Sequence, residues 1–384
     1  MKKTATILAI LLSLGLQAQT AMYNTGNIRI HQQGQIGFHT NLINNTAFDQ
    51  NLGLAGFYGN DLLRVSGAFA PTFYDMEIAN EQGLELSTGI HVLHNTNFII
   101  GNIITPRPQQ DISLNFLEQA NYVGSTDFSK VDGYVTANQV RNFDFPVGDA
   151  SQLRALDLNS SGINAIVKCA YYRANVAEPS NPFPGFDTSQ KLDSIINIST
   201  KEFWHLEANL PSTIQISWNP NSDIASLTQN VAHIVPVGWS ISQEAWVNLG
   251  TTSVVGSLDL GILVSKRFTP SDYAVITFGS VSTTDEAPTL DNYLVTPNGD
   301  GVNDFLKLEG LESSKDYMLR IFDRNGLKVY EEKNYTNGFT GYSNINNLVI
   351  NRDQGLPNGV YFYIVDMKDL NKSHQGYLYL ERAR

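Results

Sequence analysis

The sequence of 384 residues is poor in cysteine, in charge and in long apolar runs. Cys169 is its single cysteine, so the chain has no internal disulfide and must rely on large cores and sheet pairing. Acidic residues outnumber basic ones, and the formal net charge of −12 repels phosphate backbones and anionic lipid surfaces. We therefore expect no nucleic-acid partner. Only 16% of residues are charged, which favours strands and turns over solvated helices.

Motifs of enzyme chemistry are also missing. There is no Gly-x-Ser-x-Gly elbow, and Cys169 lies on an alternating strand pattern without a nearby histidine, so we expect it to be buried. Acidic residues such as Asp75 and Glu77 are present, but nothing selects a pair for glycosidase chemistry. His91 and His94 are three positions apart on a strand, where side chains point to opposite faces, so a shared metal ion is not expected. We predict that the protein is not an enzyme.

The first residues have the pattern of a secretory signal peptide. Two lysines precede an apolar run from Ile7 to Leu16, and Ala18 supplies a small residue at the cleavage site. This run is shorter than the roughly 18 residues that a membrane span needs. We predict a signal peptide over residues 1–18 and, since no cysteine follows it, no lipoprotein anchor.

Residues 19–155 are predicted to form a β-rich N-terminal domain. Short, mostly alternating runs recur every 8 to 15 residues or so and are separated by glycine or asparagine. The runs fit either the coils of a β-solenoid or the strands of a sandwich, and their spacing leaves both open. Phe145-Pro146-Val147-Gly148, with Arg154, resembles a module of Bacteroidota surface proteins, which implies a surface context and no activity.

Residues 156–281 are predicted to form an antiparallel β-sandwich. Thr213–Trp218 alternates between polar and apolar residues, and Tyr273–Phe278 is an apolar run of strand length. The tryptophans are expected in the core, with stacking on sugars as the alternative. They are Trp204, Trp218, Trp239 and Trp246.

Residues 282–290 are predicted to be a linker, and charged residues are denser after it than before it. Beyond it, residues 291–384 contain about seven strand-like runs, among them Phe305–Leu308, which predicts an immunoglobulin-like sandwich. Asn325-Gly326 is typical of a two-residue hairpin turn. The whole chain is thus predicted to be all-β and multi-domain.

The loop Thr296–Asp304 spaces oxygen-bearing side chains with glycine, as calcium loops do. Asn298, Asp300 and Asp304 are the candidate ligands, and no other cofactor is indicated. The loop lacks the distal glutamate of an EF-hand, and such turns often hydrogen-bond only their own backbone. A structural turn is therefore the favoured alternative.

Five segments together carry a family resemblance: residues 296–304, 321–326, 329–330, 356–363 and 376–380. They look like the gliding-motility-associated C-terminal domain, the type B sorting signal of the type IX secretion system of Bacteroidota. The family usually has Asn-Arg-Trp-Gly where Asp323-Arg324-Asn325-Gly326 stands, and Trp-Asp-Gly where Phe339-Thr340-Gly341 stands. The residues that match the sorting motif are Thr296, Pro297, Asn298, Gly299, Asp300, Gly301, Asn303, Asp304, Phe322, Arg324, Gly326, Tyr330, Pro357, Gly359, Tyr361, Tyr363, Gly376 and Tyr377.

The resemblance implies a route and partners. The route is signal-peptide export to the periplasm, followed by passage through the outer-membrane translocon to the cell surface or the exterior. The implied partners are the type IX translocon, outer-membrane proteins of the PorP/SprF family, shuttle proteins and a larger surface adhesin. We expect an accessory or adhesin-like component of surface attachment or gliding motility. The alternative is a secreted glycan-binding protein or polysaccharide hydrolase with the same sorting domain.

Overall fold

The computed structural model of the protein describes residues 21–179, 182–192, 195–281, 290–308, 311, 314–345, 355–368 and 372–382. These residues are nearly all β, as predicted, with strands in three sheets and a few short 3-10 helices. The predicted signal peptide and all but the last residue of the predicted linker lie outside the described residues. Within the described part, no helix is long and apolar enough to cross a membrane.

The N-terminal part is a solenoid whose coils each contribute strands to two sheets. In the smaller sheet, every strand pairs in parallel with a strand of the next coil. Buried amides join successive turns: Asn24 Nδ2 donates to Asn44 Oδ1 over 2.7 Å, and Asn44 Nδ2 donates to the Phe69 carbonyl over 2.9 Å. Polar groups inside the turns are thereby satisfied. The strands of this sheet are β1 (Ala21–Asn24), β3 (Asn41–Asn44), β5 (Leu63–Ser66), β7 (Leu84–Leu86), β9 (Ile103–Ile104), β12 (Val131–Asp132) and β14 (Val147–Gly148).

The solenoid's larger sheet is also parallel, and its inward side chains stack along the axis. Phe38 and Phe57 occupy matched register positions, and their rings stack 4.9 Å apart. Its strands are β2 (Gln35–Phe38), β4 (Leu54–Gly59), β6 (Thr72–Asn80), β8 (Ile90–Ile100), β10 (Leu114–Phe116), β11 (Asn121–Val123) and β13 (Tyr134–Phe145).

Register decides between the two predicted N-terminal architectures. Paired residues on the first coils lie 19 to 21 positions apart, as in Gln35–Leu54, Leu54–Asp75 and Asp75–Asn95. One coil therefore takes about 20 residues and contains two strands, so the spacing of runs in the sequence is roughly half a coil. The solenoid alternative is confirmed.

The middle part is an antiparallel arrangement in which β15 pairs with β18 along its first half and β17 along its second half. From β15 the sheet divides into two branches, since β17 pairs with β23 and β18 pairs with β22. Trp218 on β18 and Phe278 on β23 lie with ring centroids 6.1 Å apart, so the two branches pack against each other. Cys169, Trp204, Trp218 and Trp246 are fully buried, as predicted, and Trp239 is partly buried. The strands are β15 (Leu156–Tyr172), β16 (Ile195–Ile198), β17 (Phe203–Glu207), β18 (Ser212–Trp218), β19 (Ile234–Ser240), β20 (Ala245–Asn248), β21 (Thr251–Gly256), β22 (Gly261–Ser265) and β23 (Tyr273–Val281).

Solenoid and sandwich share one sheet. β13, the last solenoid strand of the larger sheet, pairs antiparallel with β15, so the ladder runs across the predicted boundary at 155/156. One hydrophobic cluster extends from Ile30 to Phe278. The two parts are named together the body below, since they are continuous in sheet and core.

The C-terminal domain contains a five-stranded sheet in the order β24-β28-β27-β25-β26. β24 pairs in parallel with β28, and the other neighbours are antiparallel. The prediction of a strand at Phe305–Leu308 is wrong: the segment forms no strand, although Leu306 and Leu308 are buried in the domain's core. The strands are β24 (Leu290–Val295), β25 (Tyr317–Phe322), β26 (Lys328–Lys333), β27 (Gly359–Met367) and β28 (Lys372–Leu380).

Candidate functional site in the C-terminal domain

The loop Thr296–Asp304 is organised around one carboxylate. Asp304 Oδ1 accepts the backbone N–H of Asn298 over 3.0 Å and that of Gly299 over 2.7 Å, while Oδ2 accepts the N–H of Gly301 over 2.8 Å. Hydrogen bonds from Gly299, Gly301 and Asn298 favour the charged form and hold the pKa of Asp304 below its ordinary value. Both carboxylate oxygens are thus used to close the loop.

A second set of hydrogen bonds stiffens the same loop. Asn298 Oδ1 accepts the N–H of Asp300 over 3.0 Å, and Asp300 Oδ1 accepts the N–H of Val302 over 2.7 Å. The N–H of Thr296 donates to the carbonyl of Asn303 over 2.7 Å. These are side-chain-to-backbone turns of the kind that Asn and Asp form readily.

The candidate calcium ligands therefore lie together, but their oxygens bond the loop itself. This is the arrangement that the structural-turn alternative predicts. Among the described residues, no group of three or more His, Cys, Asp or Glu side chains could hold a metal ion. Gly299 and Gly301 have φ of 81° and 85° with open space around them, so backbone conformation rather than crowding requires glycine there.

The turn between β25 and β26 is longer than the predicted two residues. The N–H of Asp323 donates to the carbonyl of Leu327 over 2.8 Å, and three residues lie between them. Gly326 has φ of 86°, which fits a three-residue hairpin loop whose last position is left-handed. Asp323 Oδ1 accepts the N–H groups of Asn325 and Leu327, each over 2.9 Å.

This turn is seated on the body rather than in solvent. Ser217 Oγ on β18 donates to the carbonyl of Asn325 over 2.9 Å, and Gln215 Nε2 on the same strand donates to the carbonyl of Gly326 over 3.1 Å. Arg324 reaches the body as well, with its Nη2 4.0 Å from Asp127 Oδ2. This turn, one of the two places where the sequence departs from the family's usual pattern, thus contacts the body, whereas Phe339 at the other place is buried in the core of the C-terminal domain.

The contact of this turn with the body changes the titration of Asp323. Desolvation raises the pKa of its carboxyl to about 6, against the opposing effect of the N–H groups of Leu327 and Asn325 and the charge of Arg324. The nearby carboxylate of Asp127 acts in the same direction as desolvation. Protonation therefore favours the seated state of the turn.

Apolar side chains extend the contact along one face of the C-terminal sheet. Phe322, Phe362 and Ile364 pack with Val255 on β21 and Ile262 on β22, and all five are buried. Tyr377 packs beside this cluster. Gln375 Nε2 on β28 donates to the carbonyl of Val254 over 3.1 Å. The domain is thus fastened to the body by a sheet face as well as by a turn.

A buried ion pair lies next to Ser217, on the part of the body that this turn contacts, which is called the seat below. Arg154 donates to Glu202 through Nε over 2.9 Å and through Nη2 over 2.7 Å, and both side chains are almost fully buried. The same Nη2 donates to the Ser217 carbonyl over 2.6 Å and to Ser222 Oγ over 3.0 Å. Tyr171 Oη also donates to Glu202, over 2.8 Å. Sequence reasoning noted Arg154 only within a module, and Glu202 carried no signal that would have paired them.

Several of the remaining motif residues lie in the core or the strand ladder of the C-terminal domain. Tyr330, Tyr361 and Tyr363 are buried in its core, and Tyr361 Oη donates to the carbonyl of Pro357 over 2.7 Å. Gly359 has φ of 152° and opens β27. Gly376 on β28 lies opposite Tyr363 in the ladder. The motif thus divides into an exposed loop, a seated turn and a packed core.

The C-terminal domain is a secretion signal domain. Residues 289–380 match the family model described as the CHU_C Type IX secretion signal domain. The protein therefore carries the signal for export by the type IX secretion system, to the cell surface or the exterior, and its export involves that machinery. No curated protein and no solved structure matches the chain.

Proposed function

We propose that the protein is a non-enzymatic cell-surface protein that serves as an accessory or adhesin-like component of surface attachment or gliding motility. The observation that carries the proposal is the sorting domain at residues 289–380, seated on a long β body. The solenoid supports a binding role, because stacked coils expose a continuous sheet face on which contacts can repeat. The proposed partners are outer-membrane proteins of the PorP/SprF family, shuttle proteins and a larger adhesin.

The seated geometry suggests which surface the export machinery reads. One sheet face and the turn around Gly326 contact the body, so they are covered while the domain is seated. The loop Thr296–Asp304 is mostly exposed, among the described residues no hydrogen bond joins it to the body, and its own hydrogen bonds hold its shape. A rigid, exposed loop binds with a small loss of conformational entropy. We therefore assign the loop as the primary recognition element.

Export is tested by removing residues 291–384 and locating the protein by fractionation and by protease treatment of intact cells. The truncated chain should stay in the periplasm, while the full chain is cleaved at the surface. As a control for misfolding, residues 282–384 fused to a stable periplasmic protein should carry that protein outward. Surface display of the truncated chain would contradict the proposal.

The accessory role is tested by cross-linking in intact cells and purifying the full chain. Recovery of translocon or gliding components is expected, and their loss in a variant with a disrupted loop would locate the contact. A secreted glycan-binding protein or polysaccharide hydrolase is the alternative function. Release of sugar from a polysaccharide by the purified protein would favour the hydrolase and contradict a non-enzymatic role.

A further inference from the structure

The outer face of the solenoid's larger sheet bears a groove of about 620 Å³. After an irregularity between Phe73 and Asp75, the side chains of β6 alternate across the sheet: Met76 and Ile78 are buried in the core, so Asp75 and Glu77 point outward into the groove. The groove crosses several coils and is lined by residues between Gln33 and Val123. It is separate from the C-terminal domain and from everything that the sorting signal explains.

Register places the outward groups in two straight rows. Leu54, Asp75, Asn95 and Asn121 are matched across β4, β6, β8 and β11. Gly56, Glu77, Asn97 and Val123 form the second row on the same strands. Neighbouring strands are about 4.8 Å apart, so polar groups recur at a step comparable to one sugar unit of an extended glycan.

An aromatic ring lies flat beside these rows. A Cβ added at Gly56 would lie 2.1 Å from Tyr58 Cζ, and one at Gly37 would lie 3.1 Å from its Cδ2, so the ring covers both glycines. Tyr58 Oη donates to Glu77 Oε1 over 2.9 Å, and Asn97 Nδ2 donates to Oε2 of the same carboxylate over 2.7 Å. The ring is thereby held over the two glycines, and the tilted ring of His39 lies next to it with a centroid distance of 5.6 Å.

A second flat pair borders the groove. The rings of Tyr74 and His94 stack 4.8 Å apart at an angle of 12°, and His94 Nδ1 lies 2.6 Å from Asp75 Oδ1. The side chain of His94 is 59% exposed and that of Asp75 is 34% exposed, so both can contact a ligand in the groove. Flat aromatic faces next to oriented polar groups suit a sugar, whose rings have apolar C–H faces and polar hydroxyl edges.

The charge of the groove's lining and the pairing of its strands indicate which class of polymer the groove could bind. No lysine or arginine is among the described residues that line the groove, whereas Asp75 and Glu77 are, so anionic chains are repelled. β4, β6 and β8 are paired on both sides, so the groove offers no free strand edge to an extended peptide. Both observations favour a neutral, hydroxyl-rich chain.

We propose that this groove binds a neutral oligosaccharide, with hydroxyl groups bonded by Asp75, His94 and Asn95 and with one sugar ring stacked on Tyr58, which adjoins the groove through its hydrogen bond to Glu77. The site does not depend on the proposed attachment role, because it would bind sugar wherever the sorting domain delivers the protein. The side chains of Tyr58 and Asn97 orient the Glu77 carboxylate, and His94 orients that of Asp75.

The test uses the full chain without residues 1–18 and isothermal titration with cellohexaose, laminarihexaose, mannohexaose and, as an anionic probe, hexagalacturonate. At least one neutral hexamer should bind, and hexagalacturonate should bind more weakly. Tyr58→Leu should weaken binding roughly tenfold or more. Tyr23→Leu is the matched control, because Tyr23 is an exposed tyrosine on the other sheet and should leave affinity unchanged.

Asn95→Ala, an outward substitution that leaves the core untouched, guards against loss of folding in the Tyr58 variant. Its melting temperature should equal that of the unsubstituted chain, and its affinity should fall severalfold. The proposal is overturned if no neutral hexamer binds, if Tyr58→Leu binds as tightly as the unsubstituted chain, or if hexagalacturonate binds best. A peptide library that is captured through Tyr58 while all sugars fail would overturn it as well.

Discussion

Two turns of the C-terminal domain use the same chemistry in opposite surroundings. In each, an aspartate accepts backbone N–H groups of its own turn: Asp304 in the loop Thr296–Asp304 and Asp323 in the turn on the body. In solvent, those hydrogen bonds lower the pKa of Asp304. Under the body, desolvation outweighs similar bonds and raises the pKa of Asp323 to about 6. The surroundings of the aspartate, and not its local hydrogen bonds, therefore decide whether its pKa is raised or lowered.

The comparison separates recognition from attachment. The exposed loop is complete without the body, so it can present a constant shape to a receptor. The seated turn owes its environment to Gln215, Ser217 and the ion pair behind them. Changes to the seat should therefore alter stability, and changes to the loop should alter export alone.

The largest effect is expected at the ion pair. Arg154→Met leaves Glu202 buried without its partner and should lower the free energy of unfolding by about 3–5 kcal/mol. Urea unfolding monitored by tryptophan fluorescence measures it. The matched control is the double substitution Arg154→Met with Glu202→Leu, which removes both charges and should recover much of the loss. A single variant within about 0.5 kcal/mol of the unsubstituted chain would show that the pair does not support the seat.

A smaller, pH-dependent effect is expected at the seated turn. The folded pKa of Asp323 is raised from 3.8 to about 6, so the folded protein holds a proton that the unfolded chain releases between those values. Its contribution to stability should accordingly rise as the pH falls from neutral to about 4, by roughly 3 kcal/mol at most.

Asp323→Asn should flatten that part of the pH dependence, and unfolding curves across the range measure it. Asp300→Asn in the exposed loop is the matched control and should follow the unsubstituted chain. If Asp323→Asn and the unsubstituted chain run parallel from neutral pH to about 4, the Asp323 carboxyl is not the titrating group.

The smallest effect on stability is expected at the exposed loop. Asp304→Ala removes the acceptor of three backbone N–H groups, which should speed proteolysis within the loop and reduce surface display while the melting temperature stays unchanged. Asp316→Ala, which removes an exposed ion pair with Lys333, should leave display intact. Calcium addition or chelation should not shift the melting temperature of the unsubstituted chain, since the loop's oxygens already accept hydrogen bonds. A calcium-dependent shift of the melting temperature would support calcium binding by the loop instead.

Local pattern predicted much of this molecule. Alternation, turn residues and low charge indicated an all-β chain, and the order of motifs after residue 290 identified the sorting domain. The tryptophans at 204, 218 and 246 were correctly expected in the core. The solenoid was left open against a sandwich because each coil of about 20 residues holds two strands, and the sequence alone does not show which runs pair.

The sequence by itself determined most of the strands, the self-bonded loop around Asp304 and the export signal of the C-terminal domain, because each depends on neighbours in the chain. Tertiary structure decided which polar faces remain exposed. Gln215 and Ser217 occupy the polar side of an alternating strand, yet both are buried because the C-terminal domain covers them. Arg154 and Glu202 are likewise paired only by the fold, since 48 positions separate them along the chain. Burial and long-range pairing are properties of the packed chain, and local sequence does not contain them.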